Sequence, residues 1–197
     1  MKAGIVLAAY LLGSLLCFDV SAEENQGAGT KIMSAKQWFQ KGIEYEDKNQ
    51  FNNAIAAYDK AIELDPKNTG GVYNNRAILY KNMGEYKKAL SDITQSIKLN
   101  PNNCYAYDTK GNIHAKLKDY KAADAAYTKA VDICSDFAGA YMNRAINDEK
   151  MGDLTKAVKD YEKVLAIADL NKDAQRYVNE ANEYLDDVRN KLRKKKK

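Results

Sequence analysis

The most chemically reactive side chains in this sequence are two cysteines and its only histidine, in the central part of the chain. Cys104 and His114 both lie in the segment NNCYAYDTKGNIH, residues 102–114, and Cys134 follows it. Cysteine and histidine are common zinc ligands and catalytic nucleophiles or bases, and a pair of cysteines can form a disulfide. Which chemistry is available depends on the elements that position these three side chains.

A repeat of 34 or 35 residues runs through the chain and sorts it into columns of positions that share one residue type. One column is small, a second is aromatic and a third is aliphatic. They contain Gly42, Ala77, Gly111 and Ala145; Trp38, Tyr73, Tyr107 and Tyr141; and Leu64, Leu99, Ile133 and Ile167. Within each repeat the apolar positions follow at three- and four-residue steps, which is typical of one face of a helix. Each repeat is therefore predicted to form two antiparallel helices that approach closely at the small residues.

The segment YDKAIELDPKN and its column partners resemble the tetratricopeptide repeat, in four copies at residues 35–68, 70–103, 104–137 and 138–171. The resemblance implies an all-α fold in which antiparallel helical hairpins stack into a right-handed superhelical solenoid. Two departures from the pattern are local. His114 and Asp148 occupy a column that elsewhere holds tyrosine, and the last two units lack the proline that closes the first two.

The segment of residues 172–192 is predicted to form a capping helix. Its apolar residues recur at three- and four-residue steps among charged ones. The last repeat of a solenoid exposes an apolar face, and an amphipathic helix that covers this face keeps the protein soluble. A helix lying on a membrane surface is the alternative. Residues 193–197 are all basic and are predicted to be a disordered tail, with weak contact to an anionic membrane as an alternative role.

Residues 1–22 are predicted to be a secretory signal peptide. Lys2 is followed by the apolar run IVLAAYLLGSLLCF, and small residues precede the expected cleavage after Ala22. A retained anchor, or a lipoprotein modified at Cys17, is the alternative. Residues 23–33 are predicted to be a flexible lead-in. The expected protein is therefore exported by a bacterium, periplasmic or secreted, and soluble after signal cleavage.

The helical repeat separates Cys104 from His114 and brings Cys104 towards Cys134. Ten residues of helix extend roughly 15 Å, whereas zinc ligands converge to about 2.3 Å from one ion, so no metal site is predicted. Cys104 begins the first helix of the third unit and Cys134 ends the second, at the same end of one hairpin. In an exported protein such a pair is a disulfide candidate, and the alternative is two small buried side chains.

No other group of residues in the sequence points to catalysis. Besides its single histidine, the chain has no glycine-rich phosphate loop, no nucleophile elbow and no paired metal motif. Neither a cofactor nor an enzymatic activity is therefore predicted.

The predicted binding surface is the concave groove lined by the first helices of the four units. Its asparagines can donate and accept hydrogen bonds along an extended peptide, and its apolar side chains can contact those of a ligand. The candidate groove residues are Phe39, Gln40, Ile43, Asn74, Asn75, Ile78, Asn82, Tyr105, Asp108, Thr109, Asn112, Met142, Asn143 and Ile146.

A groove that clamps a C-terminal carboxylate is not predicted. Members of the family with that function place lysine and arginine beside asparagine across three consecutive units. The matching positions here hold Phe39 with Ile43, Asn75, and Tyr105 with Thr109; one unit later they hold Asn74 with Ile78, Thr109, and Gly139 with Asn143. Neither set contains a cation, so a ligand segment of mixed polar and apolar character is expected.

The sequence therefore predicts a non-enzymatic adaptor or scaffold that holds a protein or peptide segment in its groove, in cell-envelope assembly or secretion. Two alternatives remain open. One is a structural module that self-assembles into homo-oligomers, and the other is a tether to anionic surfaces through RNKLRKKKK. Nucleic acid is not an expected partner.

Overall fold

The computed structural model describes residues 33–195, without the side chain of Asp173. The predicted signal peptide and almost all of the predicted lead-in lie outside the described residues, as do Lys196 and Lys197. No helix within residues 33–195 combines the length and the apolar character that crossing a membrane requires.

Within this part of the chain, eight α-helices form four antiparallel hairpins, one for each repeat. They are α1 Ala35–Asp47, α2 Phe51–Leu64, α3 Gly70–Asn82, α4 Tyr86–Leu99, α5 Cys104–Lys116, α6 Tyr120–Ile133, α7 Ala138–Met151 and α8 Leu154–Leu170. A 3-10 helix, Lys172–Tyr177, and a last helix, α9 Val178–Lys195, follow them. The described residues include no strand, and the all-α prediction is confirmed.

Each hairpin closes where the small column of its first helix meets a large side chain of its second. A Cβ atom on Gly42 would lie 2.3 Å from the Tyr58 ring, and one on Gly111 would lie 2.4 Å from the Tyr127 ring. Both tyrosines are buried. Because no real Cβ atom packs at such a distance, glycine is required at these two positions for the helices to approach as they do.

The turn inside each hairpin depends on one residue in the left-handed region. These residues are Asn49, Gly84, Lys118 and Gly152, with φ angles of 57°, 79°, 61° and 83°. Glycine adopts such angles without steric cost, whereas a lysine is strained there by roughly 1–2 kcal/mol. The third turn, at Lys118, is therefore the one whose sequence fits its conformation least well.

Arginine–aspartate pairs join the two helices of the second and fourth hairpins. Arg76 donates to Asp92 through Nε and Nη2, at 2.7 and 2.8 Å, and Arg144 donates to Asp160 in the same way, at 2.7 and 2.9 Å. Both aspartates are buried at 6% exposure. Two parallel hydrogen bonds between opposite charges fix the relative position of the helices, and the sequence analysis did not identify these pairs.

Only two of the four second helices end at a proline. Helices α2 and α4 end just before the Asp65–Pro66 and Asn100–Pro101 steps, where a proline stops the helix. Helix α6 ends in the same column without a proline, whereas α8 runs past the aligned Ile167 to Leu170. Of the two units without a closing proline, only the fourth therefore has a longer second helix.

The last helix covers the apolar end of the fourth hairpin. Ala181, Leu185 and Val188 of α9 are buried in one cluster with α7 and α8 side chains, and Leu192 packs against it. The segment predicted to be a continuous helix begins instead as the 3-10 helix. It also continues beyond Leu192 to Lys195, so the first residues of the predicted disordered tail are helical. Arginine and lysine are good helix formers and are stabilised at a helix C-terminus, which accounts for the extra residues.

Candidate functional site

The predicted groove residues divide into exposed, half-buried and buried positions. Gln40, Asn82 and Tyr105 are exposed. The half-buried ones are Phe39, Ile43, Asn75, Ile78, Asp108, Asn112, Asn143 and Ile146. The buried ones are Asn74, Thr109 and Met142, at 9%, 5% and 3% exposure. These last three side chains are buried and border neither of the cavities described below, so they belong to the packing between helices and not to the surface proposed for them.

Both predicted aromatic groove residues pack against other aromatic rings of the protein. Phe39 packs against the Tyr58 ring inside the first hairpin, with centroids 5.8 Å apart. Tyr105 packs against Phe137 with the rings tilted by 56° and their centroids 4.8 Å apart. Both rings border a separate cavity of about 580 Å³, as does Arg176. Both aromatic side chains are therefore partly engaged in contacts within the protein.

Two of the predicted asparagines are held by a half-buried carboxylate, that of Asp108, which joins the third and fourth units. Asp108 accepts hydrogen bonds from Asn112 Nδ2 at 2.9 Å and from Asn143 Nδ2 at 2.8 Å. The Tyr127 hydroxyl donates to Asn112 Oδ1 at 2.9 Å. The amides predicted to be available to a ligand are thus oriented first by the protein, and each keeps one N–H for another partner.

The environment of Asp108 opposes its ionisation and compensates for it in part. Burial raises the pKa of the Asp108 carboxyl, while the hydrogen bonds from Asn143 and Asn112 and the positive charge of Lys81 lower it. A carboxylate that is largely withdrawn from water depends on its hydrogen-bond donors. Asp108 therefore constrains the side-chain positions of Asn112 and Asn143.

A cleft of about 310 Å³ opens beside this network, between the first helices of the last three units. Its lining combines three lysines, three amides, two tyrosines and two apolar side chains. They are Lys81, Lys116 and Lys150; Asn112, Asn143 and Asn147; Tyr120 and Tyr127; and Ala115 and Ile146. We call this site the lysine cleft. It unites three of the predicted groove residues, Asn112, Asn143 and Ile146, with lysines that the sequence analysis did not select.

One column of the repeat changes its chemistry at the lysine cleft. In the first and fourth units the column holds Glu46 and Glu149, which accept hydrogen bonds from the hydroxyls of Tyr58 and Tyr161. In the second and third units the same column holds Lys81 and Ala115. Exchanging a glutamate for a lysine and an alanine removes negative charge and bulk, and the exchange is visible in the sequence once that column is compared.

The two cysteines are joined at one end of the third hairpin. Cys104, the first residue of α5, and Cys134, which follows α6, form a disulfide with a Cα–Cα distance of 5.9 Å. This separation is within the range that a disulfide spans without backbone distortion. His114 lies elsewhere, half-buried, with Nδ1 3.7 Å from Asp119 Oδ2, and burial lowers the pKa of its imidazole. Among residues 33–195 no group of three or more histidine, cysteine or acidic side chains is placed to hold a metal ion.

Comparison with protein families assigns the repeats. Models of the family described as tetratricopeptide repeat match residues 35–68, 72–103, 105–137 and 138–169. These bounds coincide closely with the four predicted units, and each matched segment contains one hairpin.

Among curated proteins, the chain is 28% identical over 140 residues to DnaJ homolog subfamily C member 7 of Homo sapiens, covering 68% of this chain and 28% of that protein. The chain spans less than a third of the length of the first curated relatives that it matches.

Two solved structures have a similar fold. The crystal structure of the MamA protein is 23% identical, with a TM-score of 0.62, and the match covers 81% of this chain and 88% of that one. The first repeat domain of Spaghetti (RPAP3), bound to the HSP90 peptide SRMEEVD, is also 23% identical, with a TM-score of 0.58. That match covers 63% of this chain and 99% of the domain.

Proposed function

Because the chain belongs to the tetratricopeptide repeat family, we propose that it is a non-enzymatic adaptor that holds an extended segment of a partner protein. Proteins of this family act as protein-binding adaptors, and the RPAP3 domain holds a peptide of HSP90. The proposal for this chain is finer: the partner segment crosses the first helices of the second, third and fourth units.

The observation that carries the proposal is the lysine cleft of about 310 Å³ between α3, α5 and α7. Ligand sites in proteins are concave and combine apolar walls with a few placed polar groups. Here Ile146 supplies an apolar wall, and Asn112 and Asn143 are fixed by Asp108 with one N–H each still available. The site is therefore shaped before a ligand arrives, which reduces the entropic cost of binding.

The proposed ligand is not a chaperone C-terminus. Phe39, Tyr105 and Thr109 occupy positions at which carboxylate-clamping members of the family carry cations, and Ile43 occupies one at which they carry asparagine. An apolar or neutral side chain cannot replace a cation that pairs with a terminal carboxylate. The resemblance to an HSP90-binding domain therefore supports the fold and the adaptor class, and the ligand is proposed from the lysine cleft.

Filling the lysine cleft tests the proposal. Ala115 lines the cleft and Ala125 is exposed on the second helix of the same unit, so Ala115→Phe and Ala125→Phe make the same change at two places. Peptides are selected from a displayed library against the full chain, and their Kd values are measured by fluorescence anisotropy. We expect Ala115→Phe to weaken binding at least tenfold and Ala125→Phe to leave it unchanged. Equal Kd values for both variants would contradict the proposal.

We also propose that the protein is exported and works in the cell envelope. The Cys104–Cys134 disulfide supports this, because disulfides persist mainly in oxidising compartments. Alkylation of the protein in intact cells, before any reductant is added, should leave both cysteines unmodified. Modification of both thiols by a membrane-permeant reagent would place the protein in a reducing compartment and contradict export.

A further inference from the structure

Three lysines of successive repeats converge on the lysine cleft. Lys81, Lys116 and Lys150 each lie in the last turn of a first helix, in α3, α5 and α7, and each contributes to the lining. A lysine near a helix C-terminus is favoured by the helix dipole, which accounts for a lysine at each place. The dipole does not account for the convergence of all three on one cavity.

None of these lysines has a hydrogen-bond or ion-pair partner among the described residues. Most other described lysines are also unpaired, since only Lys60, Lys88, Lys156 and Lys191 form ion pairs. The convergence of three unpaired lysines on one cavity is therefore what marks the cleft. The nearby Asp108 carboxylate is already occupied by Asn112 and Asn143. The cleft therefore concentrates positive charge that no carboxylate among the described residues neutralises by an ion pair.

The ammonium groups of Lys81 and Lys116 are close enough for their positive charges to repel each other. Burial lowers the pKa of the Lys81 ammonium, the positive charge of Lys116 lowers it further, and only Asp108 acts in the opposite direction. An anion that enters the cleft would relieve this repulsion, because opposite charge favours the protonated form.

An unpartnered amide in the wall of the cleft gives an independent indication of a ligand. Asn147 is 3% exposed and its Nδ2 donates to the Tyr120 carbonyl at 2.9 Å, but its Oδ1 has no hydrogen-bond partner. A buried acceptor left without a donor costs free energy. A peptide N–H could supply that donor, and Ile146 adds apolar contact that an inorganic anion would not use.

We infer that the lysine cleft binds an extended acidic segment of a protein, with aspartate or glutamate side chains paired to Lys81, Lys116 and Lys150. This inference rests on the proposed adaptor function and specifies its ligand class. The carboxylates come from side chains within the segment, and the positions used differ from those of a clamp for a C-terminal carboxylate.

The probe is a fluorescein-labelled, C-terminally amidated peptide of alternating glutamate and leucine, and its matched control has glutamine in place of glutamate. The full chain is titrated against both peptides. The amide removes the terminal carboxylate, so only side chains carry negative charge. We expect the glutamate peptide to bind at least tenfold more tightly than the glutamine peptide, since charge-assisted hydrogen bonds are the stronger kind. Equal affinity would overturn the inference.

Matched lysine variants locate the charge effect. Lys116→Gln with Lys150→Gln neutralises two cleft lysines, and Lys121→Gln with Lys129→Gln neutralises two lysines of α6 outside the cleft. Both double variants lose the same net charge, so long-range attraction falls equally. We expect only the cleft variant to weaken the glutamate peptide, by roughly tenfold. An equal loss in both would reduce the effect to non-specific attraction and overturn the inference.

Two further measurements distinguish a wrong ligand class from a wrong adaptor function. Sodium phosphate should displace the glutamate peptide no better than sodium chloride at equal ionic strength, and specific displacement would mean an inorganic anion site instead. If a library peptide without acidic residues binds and Ala115→Phe abolishes its binding, the adaptor function stands and the acidic ligand is wrong. If no peptide is weakened by Ala115→Phe, both fail.

Discussion

At the scale of single residues, the burial of the Asp148 carboxylate costs free energy of folding. Asp148 is 1% exposed, its Oδ1 has no hydrogen-bond partner, and it occupies a column that holds tyrosine in the first two units. Burial, followed by the negative charge of Asp124, raises the pKa of Asp148 from its ordinary 3.8 to about 6. The nearby Lys156 and Arg144 offset only part of this.

We predict that Asp148→Asn stabilises the protein at neutral pH and not at pH 4. At a pH well below 3.8 the carboxyl is protonated in both the folded and the unfolded chain and costs nothing, and at pH 4 little of the cost is present. Above pH 6 it is ionised in both states, and the full cost of burial, about 3 kcal/mol at 1.36 kcal/mol per pH unit, is present. The free energy of unfolding in urea, measured from pH 4 to pH 8, should show the variant's advantage grow through this window.

The exposed Asp132→Asn is the control for Asp148→Asn, because it removes the same charge from the surface of α6. Its effect should stay within about 0.5 kcal/mol across the pH range. An advantage of Asp148→Asn that does not change with pH would mean that the carboxyl is not the source of the cost.

At the scale of elements, each of the last three hairpins has a cross-link between its own two helices. The second and fourth have the Arg76–Asp92 and Arg144–Asp160 pairs, and the third has the Cys104–Cys134 disulfide. The columns that hold these arginines and aspartates hold lysine and alanine in the first and third units. The disulfide thus joins the helices of a unit that lacks the ion pair.

We predict that Cys134→Ser destabilises the protein by about 3–4 kcal/mol, because the disulfide closes a separation of 30 residues and restricts the unfolded chain. Urea unfolding of the oxidised protein and of the variant measures the difference. The wild-type protein in dithiothreitol is the control, and it should unfold at the same urea concentration as the variant. If neither the variant nor reduction lowers the free energy of unfolding, the cysteines are not bonded.

The helices themselves could be predicted from sequence because their columns encode close packing, as Gly42 against Tyr58 illustrates. The binding surface could be predicted only in part. Asn112 and Asn143 were placed correctly on first helices, but their hydrogen bonds to Asp108 depend on contacts between units that a single repeat does not reveal. The same holds for Met142, which has the position of a groove residue and is buried by the next helices.

At the scale of the whole described part, stability depends on how the stack of hairpins ends. Helix α9 packs on α8 and buries Leu185 at 3% exposure and Val188 at 0%. Neighbouring units of a solenoid stabilise one another, so an uncovered end weakens the last unit and leaves an apolar face open to association.

We predict that Leu185→Ala lowers the free energy of unfolding by about 2–5 kcal/mol, because it opens a cavity between α9 and the fourth hairpin. Leu170→Ala is the matched control, since Leu170 is 91% exposed and its truncation should change stability by less than about 0.5 kcal/mol. Urea unfolding gives both values, and light scattering reports association. Equal effects of the two substitutions would contradict the capping role of α9.

The uneven distribution of cross-links has a consequence for local opening. The first hairpin has neither an arginine–aspartate pair nor a disulfide between its helices, as Lys41 and Ala57 occupy the paired columns. Units of a repeat protein open with different free energies, so amide hydrogens of α1 and α2 should exchange earliest and those of α5 to α8 latest. Except for Lys81 of α3, the residues that line the lysine cleft lie on the late-exchanging helices, so a ligand would meet walls that mostly stay in place while the far end of the stack opens and closes.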